Sequence, residues 1–139
     1  MSEIKIISGS LPNMPWQDKP QNCSAPVWRY SENPIIKRNP LPNVARIFNS
    51  AVLPYNNGYI GVFRGEQRDG MPHIYLGNSK DGLHWCFEPE KIPFTDNNGC
   101  SFMPIYAYDP RLVKVEDTYY IIWCQDFYGA SIGMAKTTD

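Results

Sequence analysis

The sequence predicts an all-β fold of short strands, and three observations predict it. Aromatic residues make up 14% of the 139 positions, and many fall in short runs with β-branched neighbours. Prolines and glycines, 13 and 10 of them, punctuate those runs, and no useful length of chain repeats its apolar residues with helical period. The third observation is an internal repeat. Asn49 to Glu66, "NSAVLPYNNGYIGVFRGE", aligns with Asp109 to Asp126, "DPRLVKVEDTYYIIWCQD", at a shift of 60 (109 − 49). The following "IYLGNSKD" from Ile74 aligns with "IGMAKTTD" from Ile132 at a shift of 58. A four-stranded unit recurring every ~40–60 residues is the sequence signature of a β-propeller blade.

Taken in order, residues 1–32 read as an irregular, proline-punctuated leader, and 33–139 as an incomplete propeller domain. The opening of that domain, "NPIIKRNPLP" (33–42), carries three prolines and reads as extended backbone or loop. Strands are predicted at 47–54 "IFNSAVLP", 59–64 "YIGVFR", 72–77 "PHIYLG" and 84–88 "HWCFE". Asn56-Asn57-Gly58 joins the first two, because Asn and Gly tolerate the positive φ of a tight hairpin. A polar loop is expected at 95–101. Strands resume at 111–115 "RLVKV", 119–124 "YYIIWC" and 131–135 "SIGMA", with Glu116-Asp117-Thr118 in the hairpin turn. The aromatics of "YYIIWC" are expected in the core. The first copy runs on into "SKDGLHW" (79–85), a polar turn into an aromatic strand, and the second stops at Thr137-Thr138-Asp139. Closing a propeller takes about four blades. The expectation is therefore an N-terminal part of a longer protein.

A formal charge of -1 offers no electrostatic footprint for nucleic acid or an anionic membrane. No apolar run approaches the ~20 residues of a membrane helix. The start "MSEIKIISGSLPNMPW" has no basic region followed by an apolar one, so the expectation is no signal peptide and a cytoplasmic location. Cys23, Cys86, Cys100 and Cys124 lack the spacing of a zinc site and are expected as buried or half-buried thiols. His73 and His84 stand alone and read as packing residues; no metal is expected.

One stretch asks for chemistry. In "YAYDPR" (106–111) a lone carboxylate, Asp109, precedes a proline that fixes its own φ and is expected to push Asp109 into extended geometry. Such a residue serves either an Asx-type turn or catalysis. The repeat places it where the neighbouring blade has Asn49, both at the start of an innermost strand. In a propeller those starts converge at one end of the axis.

With "FNSAV", "GVFRGE", "SKDGLHW" and "YDPR" in register, and with "NPII" and "SIGMAKTTD" around them, the chain resembles glycoside hydrolase family 130. The resemblance covers nearly all of the chain after residue ~25 and less than half of a full-length member. It implies a five-bladed β-propeller, of which this chain is roughly the first two blades. It also implies a glycosyltransferase-type phosphorylase of β-1,4-mannosides, of the mannooligosaccharide or mannosyl N-glycan-core type. Such an enzyme inverts configuration and gives α-mannose 1-phosphate. By the same resemblance Asp109 is the catalytic acid, passing its proton through a sugar hydroxyl. Asn49, Ser50, Arg64 and Tyr108 line the mannose subsite, and the phosphate-binding residues are expected beyond Asp139. No cofactor is implied, only inorganic phosphate as co-substrate. This chain alone is expected to be inactive.

The residues permit the same chemistry. An inverting hydrolase needs a second carboxylate to activate water, whereas a phosphorylase needs only the acid, because phosphate arrives as an anionic nucleophile. Glu66, Asp69 and Asp126 are the candidates for a missing base, which keeps a β-mannoside hydrolase as one alternative; a non-catalytic fragment that self-associates through open strand edges is another. Arg64 either binds a hydroxyl or pairs with Glu66. Arg111 is expected to pair with a nearby acid, and Tyr106 and Phe127 could flank a sugar face. The expected partner is an oligosaccharide, with homo-oligomer formation open.

Overall fold

Nine strands and no helix form among residues 17–126 and 128–139, the part described by the computed structural model. Strands β1 (Val44–Tyr55), β2 (Gly58–Gln67), β3 (Pro72–Ser79) and β4 (Trp85–Lys91) make one antiparallel sheet in chain order. β5 (Phe94–Thr95) and β6 (Ser101–Phe102) form a short ribbon in the connection. β7 (Ala107–Val115), β8 (Thr118–Gln125) and β9 (Ser131–Thr137) make the second sheet. The β1–β2 turn sets Asn56 and Asn57 at φ 45° and 60°, the two left-handed residues that a type I′ hairpin requires. In the second sheet the matching turn places Glu116 at φ 53°.

The repeat holds at the level of the hydrogen-bond ladder. Ile47↔Gly65, Ala51↔Val62 and Tyr55↔Gly58 in the first sheet become Ala107↔Gln125, Arg111↔Ile122 and Val115↔Thr118 in the second, each residue displaced by 60. Tyr59↔Ser79 and Phe63↔Tyr75 likewise become Tyr119↔Thr137 and Trp123↔Gly133, displaced by 60 on one strand and 58 on the other. The hairpin that closes β8 on β9 is thus two residues shorter than its counterpart. Even the irregularities recur. Between Ile47 and Ser50, β1 advances three residues against two on β2, and between Tyr108 and Arg111, β7 advances three against two on β8. Each innermost strand therefore carries a β-bulge near its start.

Period-two alternation divides each sheet into two faces. Val62 and Ile74 of the first sheet meet Ala107 and Trp123 of the second together with Phe94; Ala51, Leu76, Ile92, Leu112, Ile121 and Ala135 complete this apolar layer. Trp123 is 3% exposed and packs on Phe94 at a centroid distance of 4.7 Å. Its place depends on Gly133 opposite, where a Cβ would stand 2.2 Å from the indole Cε2. Tyr55 and Tyr119 make a second contact between the sheets, edge to face at 6.2 Å. On the far face of the first sheet, Phe63 packs edge to face on Trp85 and Phe87. The Trp123 and Phe63 positions, equivalent in the repeat, both hold buried aromatics.

Several expectations shift. The predicted polar loop at 95–101 closes into the β5–β6 ribbon, in which the Asp96 carboxylate accepts the backbone N–H groups of Asn98 and Cys100. β7 starts at Ala107, ahead of the expected 111, because the ladder continues on both sides of its bulge. Cys23 and Cys124 are half-buried as expected, but Cys86, on the edge strand β4, and Cys100, in the ribbon turn, are exposed. The expectation of burial fails there because neither strand edge nor turn has a second layer over it. The leader is irregular where it is described, with turns and bends from 17 to 32; its residues 1–16 lie outside the described part.

Candidate active site

The two bulges bring the chemistry together. Asn49 and Asp109, equivalent in the repeat, meet directly: the Asn49 amide Nδ2 donates to Asp109 Oδ1 at 2.7 Å. Arg64, on β2, donates from Nη1 to the same oxygen at 3.3 Å and from Nη2 to Glu66 Oε2 at 3.0 Å. Glu66 reaches the guanidinium because residues two apart on a strand share a face. Two rings hold the guanidinium, Phe48 at 5.2 Å and Tyr108 at 5.5 Å. Tyr108 also packs edge to face on Tyr106 at 6.0 Å, and its hydroxyl donates to Asp126 at 3.4 Å. Lost hydration and the nearby Asp126 carboxylate raise the Tyr108 phenol above the ordinary tyrosine range.

Asp109 departs from the expected backbone. Its φ is 50°, in the left-handed region, and Pro110 does not hold it extended. The bulge is the reason: an inserted residue must turn the strand, and Asp is among the few side chains that tolerate this region. The turn aims the carboxylate across to the first sheet. Pro110 is fully buried behind it, and Arg111 Nη1 donates to the carbonyls of Pro110 at 2.9 Å and Asp109 at 3.3 Å. Arg111 is thus structural, as expected, though its partners are carbonyls and not an acid.

Of the residues singled out from sequence, the structure gathers Asn49, Arg64 and Tyr108 around Asp109. Ser50 stands apart, in a hollow of about 290 Å³ with Ile36, Val52, Phe63 and Trp85 on the other face of the first sheet. Asp69 accepts the Met71 backbone N–H in the β2–β3 turn. Phe127 lies outside the described residues. Phe48 enters the site without a signal of its own chemistry in the sequence. Its position beside Asn49 at the bulge is what brings its ring to Arg64. Of the two roles open to Glu66, base or partner of Arg64, the structure shows the pairing with Arg64.

Both Asn49 and Arg64 converge on Oδ1, and an oxygen accepting a guanidinium N–H is a poor seat for a proton. Neither residue donates to Oδ2. Among the described residues no cluster of His, Cys, Asp and Glu could hold a metal ion, and no helix is long and apolar enough to cross a membrane. Arg64 and Arg111 are both engaged by groups of the chain itself.

Known proteins resemble the chain in sequence and in fold. The family model for β-1,4-mannooligosaccharide phosphorylases of glycoside hydrolase family 130 matches residues 10–139. The chain is 42% identical over 145 aligned positions to a β-1,4-mannooligosaccharide phosphorylase of Ruminococcus albus, covering 99% of this chain and 43% of that protein. Among solved structures it is similar to a candidate glycoside hydrolase of Parabacteroides distasonis, with TM-score 0.62 and 21% identity over 80% of this chain and 38% of the other. Another similar structure comes from the GH130 mannoside phosphorylases, a family described as containing hydrolases of β-1,2 mannosidic linkages in Candida mannan. That similarity has TM-score 0.53 and 19% identity, over 70% of this chain and 29% of the other. The chain spans less than half the length of each.

Proposed function

The chain belongs to glycoside hydrolase family 130 as two blades of its β-propeller, and on that premise we propose that the whole protein phosphorolyses β-1,4-linked mannosides. The observation that carries this reading is the convergence of Asn49 and Arg64 on one oxygen of Asp109. It fixes the Asp109 carboxyl through Oδ1 and leaves Oδ2 to hand a proton to the departing sugar.

In the reaction the bond from mannosyl C1 to the glycosidic oxygen breaks, and that oxygen takes the proton, directly or through a sugar hydroxyl. A phosphate oxygen bonds to C1 from the opposite face, giving α-mannose 1-phosphate with inversion, and Asp109 regains its proton from solvent or phosphate. Asn49, with amide donors and an acceptor, and Tyr108, with its ring, are placed to hold the mannosyl unit. Arg64 keeps Oδ1 occupied. Phosphate needs cationic ligands of its own, which fits their supply from outside this chain. The proposed setting is the cytoplasm, where inorganic phosphate is at hand.

Incubating the whole protein with β-1,4-mannobiose tests the reading. With phosphate, ³¹P NMR should show α-mannose 1-phosphate formed in step with mannose release. Mannose released at the same rate without phosphate would establish a hydrolase in its place.

A further inference from the structure

We propose that Glu66 is a positioning residue, which keeps the Arg64 guanidinium from capturing both oxygens of Asp109. The inference rests on the reading of Asp109 as proton donor and deepens it. A guanidinium facing a carboxylate prefers the bidentate pair, two parallel N–H···O bonds, over a single one. Arg64 makes only one bond to Asp109, from Nη1 at 3.3 Å, and gives Nη2 to Glu66 at the shorter 3.0 Å. Its buried Nε has no hydrogen-bond partner, so the fork is held short of its full donor capacity. Phe48 and Tyr108 lie against the group at 5.2 and 5.5 Å, but rings do not fix which way its nitrogens point. Glu66 does.

Without Glu66, a change in the Arg64 side-chain torsions can present two nitrogens to Asp109. Oδ2 would then be tied to a cation. Among the described residues no other acid stands ready to replace Glu66. Asp126 engages Tyr108, and the residue opposite Glu66 in the β1–β2 ladder is a cation, Arg46, lying over the Phe48 ring at 5.5 Å. Arg111 is occupied by carbonyls.

The test uses the whole protein and follows mannose release from mannobiose, so it reads the coupling whether the acceptor is phosphate or water. Failure of phosphate dependence would remove the proposed reaction and leave this inference measurable. Glu66→Ala should lower kcat about 10²-fold, the cost of a misplaced catalytic group, with little change in KM. Glu66→Gln, whose amide oxygen still accepts from Nη2, should recover most of that loss. Combined with Arg64→Ala, Glu66→Ala should add nothing to the effect of Arg64→Ala alone. Multiplicative effects of the two alanine variants would overturn the proposal. So would a Glu66→Gln enzyme as impaired as Glu66→Ala while still folded, since that outcome assigns the carboxylate its own chemistry.

Discussion

Gly133→Ala probes the register on which the two-blade repeat depends. The new methyl would stand 2.2 Å from Trp123 Cε2, 2.3 Å from Cζ2 and 2.5 Å from Nε1. Ordinary contact begins near 3.4 Å, so the indole must retreat by 1.2 Å (3.4 − 2.2). It has nowhere to go: the ring is 3% exposed, packs on Phe94 at 4.7 Å and donates from Nε1 to Gln125 at 3.2 Å. Overpacking of this kind costs about 1–3 kcal/mol, and loss of the indole hydrogen bond adds about 1 kcal/mol. Against that, Ala gains roughly 0.5–1 kcal/mol over Gly in a strand interior. The net is a destabilisation of about 1–3 kcal/mol, read by urea unfolding followed through tryptophan fluorescence. A companion Trp123→Phe change removes the clashing half of the indole, so the double variant should lose less than the sum of the two single losses. Unchanged or increased stability in Gly133→Ala would place β9 one residue out of register and refute the blade-for-blade correspondence.

Three further predictions follow from the site and its surroundings. Asp109→Ala should be less stable than Asp109→Asn by about 1–2 kcal/mol in thermal unfolding, because Asn accepts the left-handed backbone and Ala resists it; equal stability would argue against the φ of 50°. His73 is held below the ordinary histidine range by burial first and by Lys91 second, with Asp69 opposing. The unfolded chain therefore binds the extra proton first on acidification, and stability should fall as pH drops below about 6.5 and level off below the folded value. A His73→Gln variant with the same acid slope would show that another group carries it. Phe48→Ala should raise KM and lower kcat together by loosening one wall of the Arg64 cage, and unchanged steady-state kinetics would remove Phe48 from the site.

The fold was largely legible because its signals are local. Asn56-Asn57-Gly58 names its own turn, and the apolar alternation of "YIGVFR" and "YYIIWC" fixes which residues face the layer between the sheets. The repeat carried register information too, since insertion of even one residue would have flipped every side chain to the other face. What the sequence left hidden are properties of contact. The left-handed turn of Asp109 arises from a bulge whose partner residues lie on β8, so Pro110 alone pointed to the wrong geometry. Glu66 and Asp109 are far apart in sequence and share a guanidinium only because β2 lies beside β7. Ser50 neighbours Asn49 in sequence, yet faces the opposite side of the sheet.

The central claim, that Asp109 supplies the proton to the leaving sugar, is tested most directly by changing how much the leaving group needs it. In the whole protein, Asp109→Asn should reduce turnover of β-1,4-mannobiose by about 10²–10⁴-fold, the usual share of general acid catalysis. On 2,4-dinitrophenyl β-mannoside, whose leaving group departs as a stable anion, the same variant should keep a rate within about tenfold of the unmodified protein, since no proton is required there. An equal loss on both substrates would contradict the account and assign Asp109 a role in holding the sugar.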